Sequence, residues 1–205
     1  MNQSKVELEQ LFKKERVEAM HTDLKRIYEL NAVFLQVVKH LSWKNQREEL
    51  AHVLGVEETT AKLLAQASKE TLDRVIYGRS NTSFEIQYDE VRLNALLQEQ
   101  EADEAGPFGN LLSNQSALLE ISQSASRTLI HLVFKEMQAW MSYDSTACFR
   151  FSSNQPNPSN ILKANANTLA KLALDSSTQL KPKFTPAHLE AAEGIQTVPM
   201  ALLFS

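Results

Sequence analysis

The residues that could carry chemistry are few, and their spacing does little with them. The chain has five histidines, His21, His40, His52, His131 and His188, and a single cysteine, Cys148. No two histidines stand in a His-x-x-x-His spacing, which would set two ligands on one helix face toward a zinc ion. One cysteine cannot build an intrachain disulfide framework or a Cys-rich zinc site. Nothing around Ala147-Cys148-Phe149-Arg150-Phe151 marks an activated thiolate. There is no Gly-x-Ser-x-Gly elbow and no Gly-rich phosphate loop, and five glycines in 205 residues argue against Rossmann and P-loop folds, whose loops consume glycine. The carboxylates fall on the polar faces of helical segments. The chain therefore reads as a non-enzyme with no cofactor, no metal and no small-molecule substrate.

Charge is the other resource. The net charge is −4. Residues 1–101 hold 14 Lys/Arg and 17 Asp/Glu, and residues 102–205 hold 7 and 8. Neither half is basic, so strong binding to nucleic acid by this chain alone is not expected, because that affinity comes largely from neutralising phosphates. A local basic face or a basic partner would have to supply it. No apolar run approaches the ~18 residues of a membrane span, and the first twenty residues lack an apolar signal core. The expectation is a cytoplasmic protein.

The elements that must position these residues are mostly helices. Residues 4–19 read as a helix capped by Ser4, either an arm that grips a partner or a solvated extension. Thr22 or Asp23 caps a second helix to about Leu41, with Leu24, Ile27, Tyr28, Asn31, Phe34, Leu35, Val38 and Leu41 on one wide apolar face. A single helix cannot bury that face, so it needs a partner helix from this chain or another. A helix over Trp43–Leu54 ends at Gly55. A short helix over 56–67 breaks near Ser68, which caps Lys69–Tyr77. That outline is a helix-turn-helix, though two helices joined by a short turn are common in any α-helical domain. Thr82–Tyr88 alternates as a strand, Asp89 caps a helix through Leu97, and residues 99–113, acidic and then Gly/Pro-punctuated, form a linker.

Beyond the linker the pattern repeats. A long amphipathic helix is expected from about Asn114 to Met141, with Leu118, Ile121, Ala125, Leu129, Leu132, Val133 and Met137 on its apolar face. Ile27 and Leu35 correspond to Ile121 and Leu129, a shift of 94. Further on the shift becomes 97, pairing Ala51 with Cys148, Leu54 with Phe151, Leu64 with Ile161, Leu72 with Leu169 and Val75 with Leu172. Gln179–Phe184 takes the place of the strand, and Thr185-Pro186 opens the last helix. Residues 195–205 are an apolar tail that packs on the core or docks on a partner.

The block Met20-His21-Thr22-Asp23-Leu24-Lys25-Arg26-Ile27-Tyr28-Glu29-Leu30-Asn31 resembles the start of the FlhD family, the D subunits of the bacterial flagellar master transcriptional activator. The likeness continues through Leu54-Gly55-Val56-Glu57-Glu58, Leu64, Leu72 and Val75 to the strand at Phe84. In the second copy, Ser116-Ala117-Leu118-Leu119, Asp144, Phe149-Arg150-Phe151-Ser152 and Leu169-Ala170-Lys171-Leu172-Ala173 resemble family segments in the same order. The resemblance implies a mainly α fold of two tandem helical units with helix-turn-helix-like segments and short β-strands, paired as an intrachain pseudo-dimer. Its parts are an N-terminal helical extension (1–19), a first unit (20–98), the linker (99–113), a second unit (114–194) and the tail (195–205).

It also implies a role. Family members join a zinc-binding FlhC-type subunit that carries most of the DNA contact, and the complex recruits RNA polymerase at flagellar or, for diverged relatives, conjugative-transfer promoters. Carried over by position, Lys62, Lys69, Arg74 and Arg79 in the first unit and Arg150, Lys163 and Lys171 in the second are candidate phosphate contacts, against the plainer reading of solvated surface charge. His21, Phe149 and Arg150 are candidates for partner binding or activation, against simple core packing for Phe149. The family's Phe-Arg pair is His52-Val53 in the first copy and Phe149-Arg150 in the second. Its intersubunit cysteine is replaced by Ser83, so that crosslink is absent. A competing reading is an adaptor or antagonist that binds the C-type subunit and never meets DNA.

Overall fold

The computed structural model describes residues 3–77, 79–104, 117, 120–151 and 158–194, with most of these side chains from Thr22 on. Among them the chain forms helices α1 (Gln3–Trp43), α2 (Glu58–Gln66), α3 (Lys69–Ile76), α4 (Glu90–Glu104), α5 (Ala125–Met141), α6 (Pro158–Lys163), α7 (Ala166–Leu174) and α8 (Pro186–Gly194). A π-helical turn (Glu49–Val53) lies between α1 and α2, a 3-10 helix (Ser145–Arg150) between α5 and α6. Strands β1 (Phe84–Gln87) and β2 (Gln179–Pro182) complete it. The fold is mainly α. No helix among the described residues is long and apolar enough to cross a membrane.

The two helices expected over 4–19 and 22–41 are one helix of 41 residues. Thr22 and Asp23 do not cap it. Nothing from Ser4 to Trp43 is Gly or Pro, and a mid-helix Thr or Asp costs only about 0.5 kcal/mol. Burial of Ile27, Phe34, Leu35, Val38 and Leu41 outweighs that cost. Asn45 ends the helix at φ 54°, and the Gln46 N–H donates to Leu41 O at 3.0 Å, a left-handed C′ residue satisfying an orphan carbonyl. That turn removes the start of the expected Trp43–Leu54 helix and leaves the π turn. Gly55 closes the turn at φ +55°, as expected, and a Cβ there would stand 2.8 Å from Leu180 O. Ser68 accepts from Thr71 N to cap α3, and Asp89 accepts from Val91 N at 2.8 Å to open α4. Helix α4 continues to Glu104, so residues 99–104 are helix rather than linker. The rest of the expected linker falls outside the described residues.

In the second half, the helix expected over 114–141 is interrupted. Ser124 is extended (φ −123°, ψ 122°) and its side chain accepts from Arg127 N, so α5 starts at Ala125. Of the upstream segment, Leu118 lies outside the described residues, while Ala117 and Ile121 are buried. Burial also points to a different register for the expected repeat. Ile27, Leu30, Asn31, Phe34, Leu35, Val38 and Leu41 are buried, and so are Ser126, Leu129, Ile130, Val133, Phe134, Met137 and Trp140, each 99 positions later. A shift of 94 would set buried Val38 against exposed Leu132. Beyond the helix the shift of 97 matches: Leu54 and Phe151, Leu64 and Ile161, Leu72 and Leu169, and Val75 and Leu172 are all buried. Ala51 is the exception, exposed where Cys148 is buried.

Positions matched in this way make similar bonds. Lys39 Nζ donates to Ala67 O at 2.6 Å, and Gln138 Nε2 donates to Ala164 O at 2.7 Å. Both carbonyls lie in the two-residue turns between α2 and α3 and between α6 and α7. Ser68 and Asn165 cap the second helix of each pair through the N–H three residues on.

The halves exchange parts. Helix α1 packs on α2 and α3, and α5 on α6 and α7. The helix after each strand crosses over: α4 lies on α6 and α7, and α8 lies on α2 and α3. Strands β1 and β2 pair antiparallel, Phe84 opposite Pro182 and Gln87 opposite Gln179. Ile86 N donates to Phe151 O at 3.0 Å, while Gly55, the counterpart of the residue after Phe151, abuts β2. One hydrophobic core runs through both halves, with Phe34 against Phe84 (4.8 Å between centroids) and Tyr88 against Phe134 (5.5 Å).

Candidate functional site

The seven candidate phosphate contacts do not form one basic face of free charges. Lys62 is exposed and paired with Glu58 at 3.0 Å. That bond, the ammonium's field and then Arg47 hold the Glu58 carboxyl below its ordinary range. Lys69 is exposed in the first turn of α3, and Lys163 is exposed at the end of α6. Lys171 is paired with Glu99 of α4 at 3.1 Å. Arg150 is turned inward, pairing with Asp23 at 3.7 Å and lying 4.9 Å from the Trp140 ring centroid. The Arg150 pair with Asp23 explains why Asp23 is useful inside a helix. Two candidates do meet: Arg74 and Arg79 line one groove between α3 and α8, with Val75, Tyr77, Ala191 and Ala192 as its apolar part and Asp73 and His188 at its edge. Tyr77 and His188 carry no sequence signal of their own. Only the placement of α8 on α3 brings them in.

The pairs α2–α3 and α6–α7 are each two short helices joined by a two-residue turn, and the second helix of each is covered. On α7, Asn167, Thr168, Leu169, Ala170, Leu172 and Ala173 are all buried, under α4 and α5. On α3, Thr71, Leu72, Val75 and Ile76 are buried, and Arg74 Nη1 donates to Ala192 O of α8 at 3.1 Å. A recognition helix needs an open face to enter a major groove. On α7 that face is occupied.

Phe149 is 60% exposed, so it is not a core residue. It lies in the 3-10 helix that Asp144 caps through Thr146. Tyr143, also 60% exposed, donates to Asp23 Oδ1 at 3.3 Å. Tyr143 and Arg150 thus both meet Asp23 of α1, and exposed Phe149 precedes Arg150 in the 3-10 helix. His21 lies in α1, with its side chain outside the described residues.

The other titratable groups among the described residues have the following surroundings. Burial pushes the Cys148 thiol up, the backbone amides of Phe149 and Cys148 oppose this, and Asp144 adds to it. Burial lowers His131, Lys135 lowers it further, and a backbone contact to Ala166 opposes both. Its Nε2 has no partner among the described residues. Glu49 and His52 do stand at a Glu-x-x-His spacing, but Glu49 accepts from Ser124 Oγ at 2.6 Å and His52 is exposed. Among the described residues no three His, Cys, Asp or Glu side chains cluster to hold a metal ion.

Comparison of the chain with protein-family models, with curated proteins and with solved structures finds no match.

Proposed function

We propose that this chain is a non-catalytic, D-type subunit of a heteromeric transcriptional activator, built from two FlhD-like units in one polypeptide. It acts in the cytoplasm with a zinc-binding FlhC-type subunit, and the complex recruits RNA polymerase at flagellar or conjugative-transfer promoters. The observation that carries the reading is the reciprocal exchange of α4 and α8 between the halves, with β1 paired to β2. Such interleaving is what a dimer of intertwined subunits becomes when its two chains are fused, and it makes the isolated chain a monomer. On this reading the units span about residues 20–98 and 114–194, and residues 1–19 and 195–205 are extensions for partners.

The covered faces of α3 and α7 support a reading in which the partner makes most of the DNA contact. Lys62, Lys69 and Lys163 then contribute only peripheral phosphate contacts, and Phe149 leads the partner binding, with Arg150 held by Asp23 and His21 two positions before Asp23 in the sequence. The test is fluorescence anisotropy on promoter DNA from the gene's own locus at two salt concentrations, with this chain, the neighbouring C-type gene product, and both. Salt-sensitive binding that needs both proteins supports the activator subunit. A second reading, an adaptor or antagonist of the C-type subunit, is favoured by the pairing of Arg150 with Asp23 and of Lys171 with Glu99. It takes over if adding this chain removes the partner's DNA binding or leaves it unchanged.

A further inference from the structure

We propose that the groove between α3 and α8 is a docking site for an acidic segment of a partner protein, a carboxylate-bearing stretch with an apolar residue beside it. The groove has a volume of about 650 Å³. Tyr77 stands over it, a large apolar side chain 81% exposed among the described residues. Its charge is positive. Among the described residues neither Arg74 nor Arg79 has an ion-pair partner, although both guanidinium groups are held in place: Arg74 Nη1 donates to Ala192 O and Arg79 Nε to Val75 O at 2.7 Å. His188 is fixed by the Thr185 N–H, which donates to its Nδ1 at 3.0 Å. The one carboxylate at the edge, Asp73, is engaged by the Tyr28 hydroxyl at 2.8 Å. Lys183 adds to the field nearby: desolvation holds its ammonium below the ordinary lysine range, Glu85 pulls it back up, and Arg79 pushes it further down.

The other half shows what closes such a groove. Leu93 of α4 and Leu189 of α8 are both buried, and aligning them sets Arg92 where His188 stands. The C-cap of α7 is Asp175, whose carboxylate meets Arg92 at 3.3 Å. At the shift of 97 the position matching Asp175 is Gly78, which carries no carboxylate. The second half thus supplies a carboxylate at this place, whereas the first half has none there, and the Asp73 carboxylate of its groove is already engaged by Tyr28. A carboxylate from outside completes the pattern. This comparison rests on the two-unit reading. The apolar lining favours a peptide over a phosphate backbone, because base-independent contacts to nucleic acid need charge and little apolar area.

The test is selection of a displayed library of random dodecapeptides on the full chain, followed by anisotropy with the enriched peptides. The expected result is enrichment of peptides pairing Asp or Glu with an apolar residue. Their affinity should fall about tenfold or more in Arg74→Gln/Arg79→Gln, since losing two charge-assisted contacts in a partly desolvated groove costs at least that much. Replacing the peptide's acids by amides should cost the same. Tyr77→Ser, which alters only an exposed side chain, should also weaken binding while leaving the melting temperature unchanged. Absence of enrichment, enrichment without acids, or full affinity for the double variant would overturn the proposal. So would duplex DNA binding that depends on the two arginines while no peptide binds. The C-type subunit is titrated separately: assembly with the wild-type chain reports on the subunit reading, and unaltered assembly with the double variant would remove the groove from that interface.

Discussion

Gln100 of α4 is the sharpest handle on the exchange of helices. Its Oε1 accepts from Asn165 N at 2.9 Å and from Thr168 Oγ1 at 2.8 Å, and its Nε2 donates to Lys163 O at 3.2 Å. One side chain from the first half therefore clasps the end of α6, the turn and the first turn of α7. Gln100→Ala removes all three bonds and leaves the Asn165 N–H and the Thr168 hydroxyl partly buried without that acceptor. At about 1 kcal/mol net per bond the loss is about 2–3 kcal/mol. At roughly 2–4 °C per kcal/mol for a chain of this size, the melting temperature should fall by about 5–10 °C. Urea unfolding followed by circular dichroism at neutral pH measures it, with the slope unchanged if only stability is affected. Gln98→Ala is the control, an exposed neighbour on the same helix. If Gln100→Ala unfolds within about 0.5 kcal/mol of that control, α4 is not docked on the second half and the interleaved architecture is wrong.

Four further outcomes follow from the same geometry. Gly55→Ala should destabilise by about 1–3 kcal/mol, because the residue sits at φ +55° with Leu180 O 2.8 Å from the new Cβ. Thermal melting checks this. Arg127→Met should cost about 2–4 kcal/mol by stripping the donor that Ala173 O, Asp175 O and Thr178 O share through one nitrogen, read by chemical denaturation. His131 has its folded pKa lowered, by burial first and Lys135 second. Its contribution is therefore complete above the unfolded value of about 6.5 and declines as pH falls from there toward the folded value; His131→Gln should flatten the stability profile across that window, and an unchanged profile would reject the assignment. Phe149→Ser should leave the melting temperature within about 1 °C, as for an exposed side chain, while weakening assembly with the C-type subunit in a pull-down titration.

Much of the local structure was legible because it is written locally. Ser68 and Asp89 announce the starts of α3 and α4 through side-chain oxygens that accept from the N–H groups two or three residues on, and Gly55 announces a left-handed stop. The long-range arrangement was not legible. The register of the two long helices depends on which face the rest of the chain covers, and apolar residues at spacings of three and four fit several registers. Ile121 matched Ile27 by type, whereas Ser126 matches it by burial, since a small hydroxyl residue can occupy a crowded helix crossing. The break at Ser124 was hidden because serine is tolerated inside helices as well as before them. The basic residues misled for a related reason: Arg150 and Lys171 look available in sequence, and their acids, Asp23 and Glu99, lie 127 and 72 positions away.

The crossing of α4 onto α6 and α7 also sets a schedule for synthesis. The helices that cover Leu93 and Leu96 end at Leu174, far downstream of Glu104. At about 5–20 residues per second the ribosome needs on the order of ten seconds to make them. For that interval the first half carries an apolar helix face and an open strand edge, with no native surface of its own to put against them. Two neighbouring nascent chains on one messenger present the same surfaces to each other. The chain therefore has a built-in competition between completing itself and swapping helices with its sibling, decided by how soon the second half arrives.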